Sequence, residues 1–141
     1  MSTRILCFAL LLNLFLSHCS DTGNAVSTSK QNSTWRLESI ESGGHTTNIS
    51  SNELYTFRFE NDTLVTGQVY CNTYFTNYHL VPPDSISFGP FIATKIGCPL
   101  PSYQDEFRLA FDNANSLNFA GTQLRLYYLN RTRVLNFEKI M

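Results

Sequence analysis

Residues able to do covalent or acid–base chemistry are few in this chain of 141 residues, which holds four cysteines and three histidines. His45 follows Gly43-Gly44 in a polar stretch and reads as a solvated loop residue. His79 stands beside Tyr78 and just ahead of Pro82-Pro83, where a strand ends at the surface. A Ser or Cys nucleophile needs a base within hydrogen-bond reach, and neither histidine has a motif that would supply one. The nucleophile elbow G-x-S-x-G, the zinc motif HExxH and the Gly-rich phosphate loops are absent. Asp105 and Glu106 are adjacent, so on a helix they point about 100° apart and cannot face each other as an acid–base pair. The sequence predicts no catalytic centre, no metal site and no cofactor.

The cysteines divide by position. Arg4 opens a short positive segment, and Ile5 to Leu16, which includes Cys7, is nearly pure apolar sequence. A run of that length after a positive start reads as a secretory signal over residues 1–18, too short to span a bilayer. Leu16-Ser17-His18-Cys19 then resembles a bacterial lipobox, with His18 where that pattern has Gly, Ala or Ser. On that reading Cys19 carries the lipid and anchors the chain to a membrane; ordinary cleavage nearby, leaving a free Cys19 thiol, is the alternative. Cys71 and Cys98 remain. In an oxidising compartment they can pair across 27 residues, with two buried free thiols as the alternative. Neither has the CxxC or CxxH neighbour that a thiolate metal site needs.

Composition sets the frame for these residues. Hydrophobic content of 43%, with eleven Phe and seven Tyr, supports a packed core, and the chain has room for one ordinary domain. A net charge of −1 with no basic run excludes nucleic acid as a partner. Residues 19–33 are polar or small and read as a flexible tether, followed by a domain over 34–141.

From Thr34 onward the pattern has mostly period two. Trp35 and Leu37 begin a first strand, and a loop runs from Gly43 to Asn52. Tyr55, Phe57 and Phe59 alternate with polar residues before an Asn61-Asp62 turn. Strands follow over Leu64–Val69, Tyr74–Leu80, Ser85–Phe88 and Phe91–Ile96. The period then changes. Tyr103, Phe107, Ala110, Phe111 and Ala114 share one helical face, predicting a helix over about 102–114 with Ser102 as N-cap. Leu117-x-Phe119, Leu124-x-Leu126-x-Tyr128 and Val134 to Glu138 return to strands. The fold class is α+β, mainly antiparallel β: seven or eight strands in a strongly twisted sheet curled around one helix.

The order of landmarks resembles the META domain, or HslJ-like, family. It is carried by Trp35-x-Leu37, by Gly67-x-x-x-Cys71-Asn72-x-Tyr74-x-x-x-Tyr78 and by Thr94-x-x-x-Cys98-Pro99. Glu106, Gly121-x-x-Leu124-x-Leu126 and Leu135-x-Phe137 continue it, so that residues 33–139 are covered. Tyr70 and Thr76 stand where the family pattern has glycines. The resemblance implies a cracked, barrel-like β domain with one helix, similar to some secretion pilotin lipoproteins, and no established enzyme activity. Asn72 reads as a turn residue, with a ligand-facing amide as the alternative, and Glu106 is expected to satisfy backbone or turn donors beneath the sheet. The aromatic residues are core, unless a crack in the barrel lets some line an apolar groove for a lipid tail or a peptide. The resulting expectation is a non-enzymatic lipoprotein of the bacterial cell envelope, anchored at the outer membrane. It would bind an envelope protein or a hydrophobic ligand, with the family pointing to envelope stress. A pilotin-like escort and an atypical hydrolase are the competing readings.

Overall fold

The computed structural model describes residues 30–99 and 103–141. The secretory segment, Cys19 and most of the tether lie outside the described residues, as does Ser102. Ten strands and one helix follow in the order β1 (Thr34–Ser42), β2 (His45–Asn48), β3 (Thr56–Phe59), β4 (Leu64–Val69), β5 (Asn72–Val81), β6 (Ser85–Phe88), β7 (Ile92–Ala93), α1 (Gln104–Asp112), β8 (Ala114–Ala120), β9 (Gln123–Tyr128) and β10 (Arg133–Lys139).

All pairings are antiparallel, and eight strands close on themselves as β1-β10-β9-β8-β6-β5-β4-β3 and back to β1. This is the expected barrel, with β2 and β7 as short additions outside the ring. Closure is uneven. β1 and β10 pair over most of their lengths, whereas β6 and β8 meet at the single pair Ser85–Ser116, helped by Leu117 N–H donating to the Asp84 carbonyl at 2.7 Å. That seam is the shortest join of the closed ring. Helix α1 lies against β6 and β9, on either side of it, and drives Phe107 and Phe111 inward.

The period-two stripes of the sequence supply the interior. Tyr55, Phe57, Phe59, Leu124, Leu126 and Leu135 are fully buried, as are Phe107 and Ala110 from the helix. Phe57 sits at the centre, with ring centroids 4.7 Å from Phe59, 5.7 Å from Phe111 and 5.8 Å from Phe137. Edge-on and tilted packing of this kind adds to the burial of large apolar area. The aromatic residues expected in the core therefore fill the barrel, and the conditional alternative of an apolar groove inside it is not needed to place them.

Three local expectations change. The stretch after Gly43-Gly44 is not wholly loop: both glycines have positive φ (57° and 81°), the requirement of a two-residue hairpin, and β2 folds back on β1. All four β2 residues are exposed, so no hydrophobic alternation marks them. The helix is shorter than predicted, with Tyr103 at its N-cap and no side-chain cap; the Tyr103 amide instead donates to the Tyr55 hydroxyl at 2.8 Å. Asn113 ends the helix by donating its amide group to the Leu109 carbonyl at 3.0 Å, and Ala114 already belongs to β8. Finally, only Ile92 and Ala93 of the stretch Phe91–Ile96 form a strand. The cause is the Asn72 side chain, which bonds Ile96 where a strand neighbour would.

Candidate functional site

At the start of β5 the Asn72 side chain, 4% exposed, satisfies the connection that leads from β7 to the helix. Its Oδ1 accepts from Ile96 N–H at 2.7 Å and from the Thr94 hydroxyl at 2.8 Å. Its Nδ2 donates to the Ile96 carbonyl at 3.0 Å and to Gln104 Oε1 at 3.1 Å. A side-chain amide thus replaces the neighbouring strand beyond Ala93, which is why β7 stops there. Cys71 and Cys98 form a disulfide around this amide, with Cα atoms 5.7 Å apart and Cys98 Sγ 3.3 Å from Nδ2. Cys71, Asn72, Thr94 and Cys98, separate pieces of the sequence motif, are one staple. Each polar atom of Asn72 is used inside the fold, leaving no amide for a ligand.

The remaining motif residues hold other parts of the barrel. Tyr74 and Tyr78 point inward from β5, and their hydroxyls donate to the carbonyls of Thr56 (2.8 Å) and Asn61 (2.9 Å). Burial pushes the Tyr74 phenol well above its ordinary range. Gly67 faces Tyr74 across the β4–β5 pairing, and a Cβ there would lie 2.2 Å from the Thr56 carbonyl oxygen. Trp35 is buried on β1, 5.6 Å from the Phe119 ring.

Glu106 meets side chains where backbone or turn donors were expected. The Tyr128 hydroxyl donates to Oε1, and one Arg133 nitrogen reaches both carboxylate oxygens at 2.8 and 2.9 Å. Burial first, and Glu106 second, push the Tyr128 phenol up; the Glu106 carboxylate likewise raises Arg133. These contacts tie the helix to β9 and β10. Asp105 is exposed and turned away, and His45 and His79 are both exposed. Among the described residues no group of three or more His, Cys, Asp or Glu could hold a metal ion.

Nothing in the sequence marks Gln104, Tyr128 and Arg133 as partners, because their roles depend on strands and helix meeting in space. The same holds for Glu53, 5% exposed, which accepts from the Tyr55 hydroxyl at 2.6 Å. Its neighbours Asn52 and Leu54 carry no periodic signal that would mark it as buried.

Two surface depressions border β7. A depression of about 580 Å³ lies on the outer face of β3, β4, β5 and β7, with Arg58, Gln68, Thr73, Phe75 and Ile92 among its walls. Phe75 and Ile92 pair across β5 and β7 and are 48% and 50% exposed, an apolar pair on the rim. On the other side of β7 a groove of about 420 Å³ runs towards the helix, walled by Phe91, Ala93, Lys95, Asp105 and Arg108. Volumes of this size are in the range of ligand and side-chain sites.

The META domain family model matches residues 28–140. No curated protein is similar enough to match the chain. A protein from Burkholderia xenovorans solved by NMR has the same fold, with a TM-score of 0.65 at 18% identity over 80% of this chain and 85% of that one. Motif order, barrel and family match agree, and the chain belongs to the META domain family.

Proposed function

We propose that this META-domain chain is a non-enzymatic lipoprotein of the bacterial envelope, held to the membrane through Cys19, and that it binds a protein partner on the outer face of β3, β4, β5 and β7. The observation that carries this reading is the contrast between a barrel filled by its own rings and an open depression of about 580 Å³ outside it. An acyl chain inside the barrel would have to displace Phe57, Phe107 and Phe111, whereas the outer face already presents Phe75 and Ile92 to solvent. The polar groups best able to do chemistry, Glu106 and Asn72, are engaged within the fold. Export and anchoring rest on Arg4, the apolar run to Leu16 and the lipobox-like Leu16-Ser17-His18-Cys19.

The test is the full-length chain, made in a bacterium, with a photoreactive residue in place of Phe75. We expect one protein adduct of defined mass, absent when the probe replaces His45 on β2. No adduct at Phe75, or the same adducts from both positions, overturns the binding face. Ester or peptide hydrolysis abolished by a single polar substitution overturns the non-enzymatic reading. Mass spectrometry of the mature N-terminus decides the anchor: a diacylglyceryl group on Cys19 is expected, and an unmodified Cys19 refutes it.

A further inference from the structure

Between the two depressions stands an unfinished sheet edge. β7 pairs with β5 through Ala93–Tyr74 and Ile92–Phe75, and Thr94 N–H donates to the Thr73 carbonyl at 3.0 Å. In an antiparallel pair, hydrogen-bonded and non-bonded residues alternate. Since Thr94 and, beyond the end of β7, Ile96 both bond towards the start of β5, Ala93 and Lys95 between them turn their N–H and C=O groups the other way, into the groove beside the helix. No strand of the ring pairs with that side of β7, and among the described residues no backbone bond joins the Lys95 amide. Two amides about 7 Å apart, as strand geometry sets them, are the start of a ladder.

We propose that this edge is completed by a strand from another protein: an extended segment that adds to β7 along Ala93 and Lys95 and lies between β7 and α1. This deepens the proposed binding face, since β7 borders both depressions, and it rests on that reading. Backbone bonds supply the affinity in such strand addition and alternate side chains the specificity. The groove walls state what those side chains are. Phe91 offers an apolar contact; Arg108 is shared with Asp112 at 3.7 Å, and Lys95 stands at the edge itself as the cation nearest an added strand, so the incoming segment carries an apolar residue and, opposite Lys95, an acidic one. A basic residue at that place meets Lys95 at close range.

The experiment uses the isotope-labelled mature protein and two synthetic eight-residue peptides of alternating threonine and valine, one with a central glutamate and one with a central lysine. The glutamate peptide is expected to shift the Ala93 and Lys95 amide resonances and slow their hydrogen exchange, and to bind at least about tenfold tighter than the lysine peptide. Ala93→Pro removes an amide proton that no strand of the barrel uses, at an edge where proline is tolerated. It should weaken binding by about tenfold or more, the loss of one to two hydrogen bonds. Lys95→Glu, which leaves the backbone untouched, should reverse the peptide preference. Equal binding to Ala93→Pro, no reversal in Lys95→Glu, or no binding of either peptide overturns strand addition. The two readings fail separately. A Phe75 adduct that persists in Ala93→Pro removes strand addition and leaves the outer face, whereas loss of the adduct from the parent chain removes the face itself.

Discussion

Replacing Gly67 by alanine tests whether the barrel wall is built as described. Gly67 lies on β4 between the inward residues Val65 and Val69, opposite Tyr74. An added Cβ would stand 2.2 Å from the Thr56 carbonyl oxygen, 2.8 Å from the Thr56 carbonyl carbon and 2.8 Å from Tyr74 Cε1. The Tyr74 ring could swing aside, but the Thr56 carbonyl is backbone of β3, and the Thr56 hydroxyl is already bonded to Gln68 N–H at 2.8 Å. Overpacking of this kind costs about 1–3 kcal/mol. Moving the ring also breaks the buried bond from Tyr74 to Thr56 and leaves its groups unsatisfied, about 1–3 kcal/mol more. At an unfolding entropy of about 2.1 cal/mol/K per residue, a domain of this size loses about 4 °C in Tm per kcal/mol. Gly67→Ala should therefore lower Tm by at least about 8 °C in thermal unfolding followed by near-UV circular dichroism. Gly97, with ordinary φ and nothing within 4 Å of where an added methyl would stand, is the control, and Gly97→Ala should stay within about 0.5 kcal/mol. A Gly67→Ala protein melting within about 2 °C of the parent would refute the close approach of β3, β4 and Tyr74.

Two further outcomes follow from the same contacts. Removing the Cys71–Cys98 bond by double serine substitution or by reduction opens a loop spanning 27 residues, which the chain-entropy treatment values at about 3.5 kcal/mol; a Tm indifferent to reductant would contradict the pairing. Tyr74 and Tyr128 are held above the ordinary phenol value of 10.0 in the fold, so the folded state binds more protons than the unfolded one at high pH. Their contribution is complete below about pH 10 and is lost as pH rises beyond it, at about 1.4 kcal/mol per pH unit for each group. Tm measured against pH should fall more steeply above pH 10 in the parent than in a Tyr74→Phe, Tyr128→Phe double variant, and parallel curves would count against this.

Much of the architecture is legible in the chain because burial imposes a period. Phe57 and Phe59 alternate, with Tyr55 buried just ahead of them, since one face of β3 is barrel interior, and Phe107, Ala110 and Phe111 fall on one stripe since that face of α1 is buried in the core. The family motif is equally local: Cys71-Asn72 and Thr94-x-x-x-Cys98 can be read off as fragments. Where no face is buried, the period vanishes, and β2 is invisible in the sequence for that reason. The predicted helix overruns α1 because Ala114 continues the helical stripe, while Asn113 ends the helix through a bond the pattern does not record.

Folding is what turns these fragments into a staple and a surface. Asn72 is one residue in the chain; folded, it joins Thr94, Ile96 and Gln104, whose bonds to it span 22 to 32 positions of sequence. Glu106 becomes a structural anion only when β9 and β10 bring Tyr128 and Arg133 to it. The expectation that no residue is placed for catalysis rests on motif spacing, which the sequence carries by itself. The outer face followed from closure: once eight strands close and the rings fill the interior, open volume is left outside, around β7. Periodicity along a chain reports which side chains are buried. It carries no record of which backbone groups a strand leaves without a neighbour, and that depends on where the ring of strands closes.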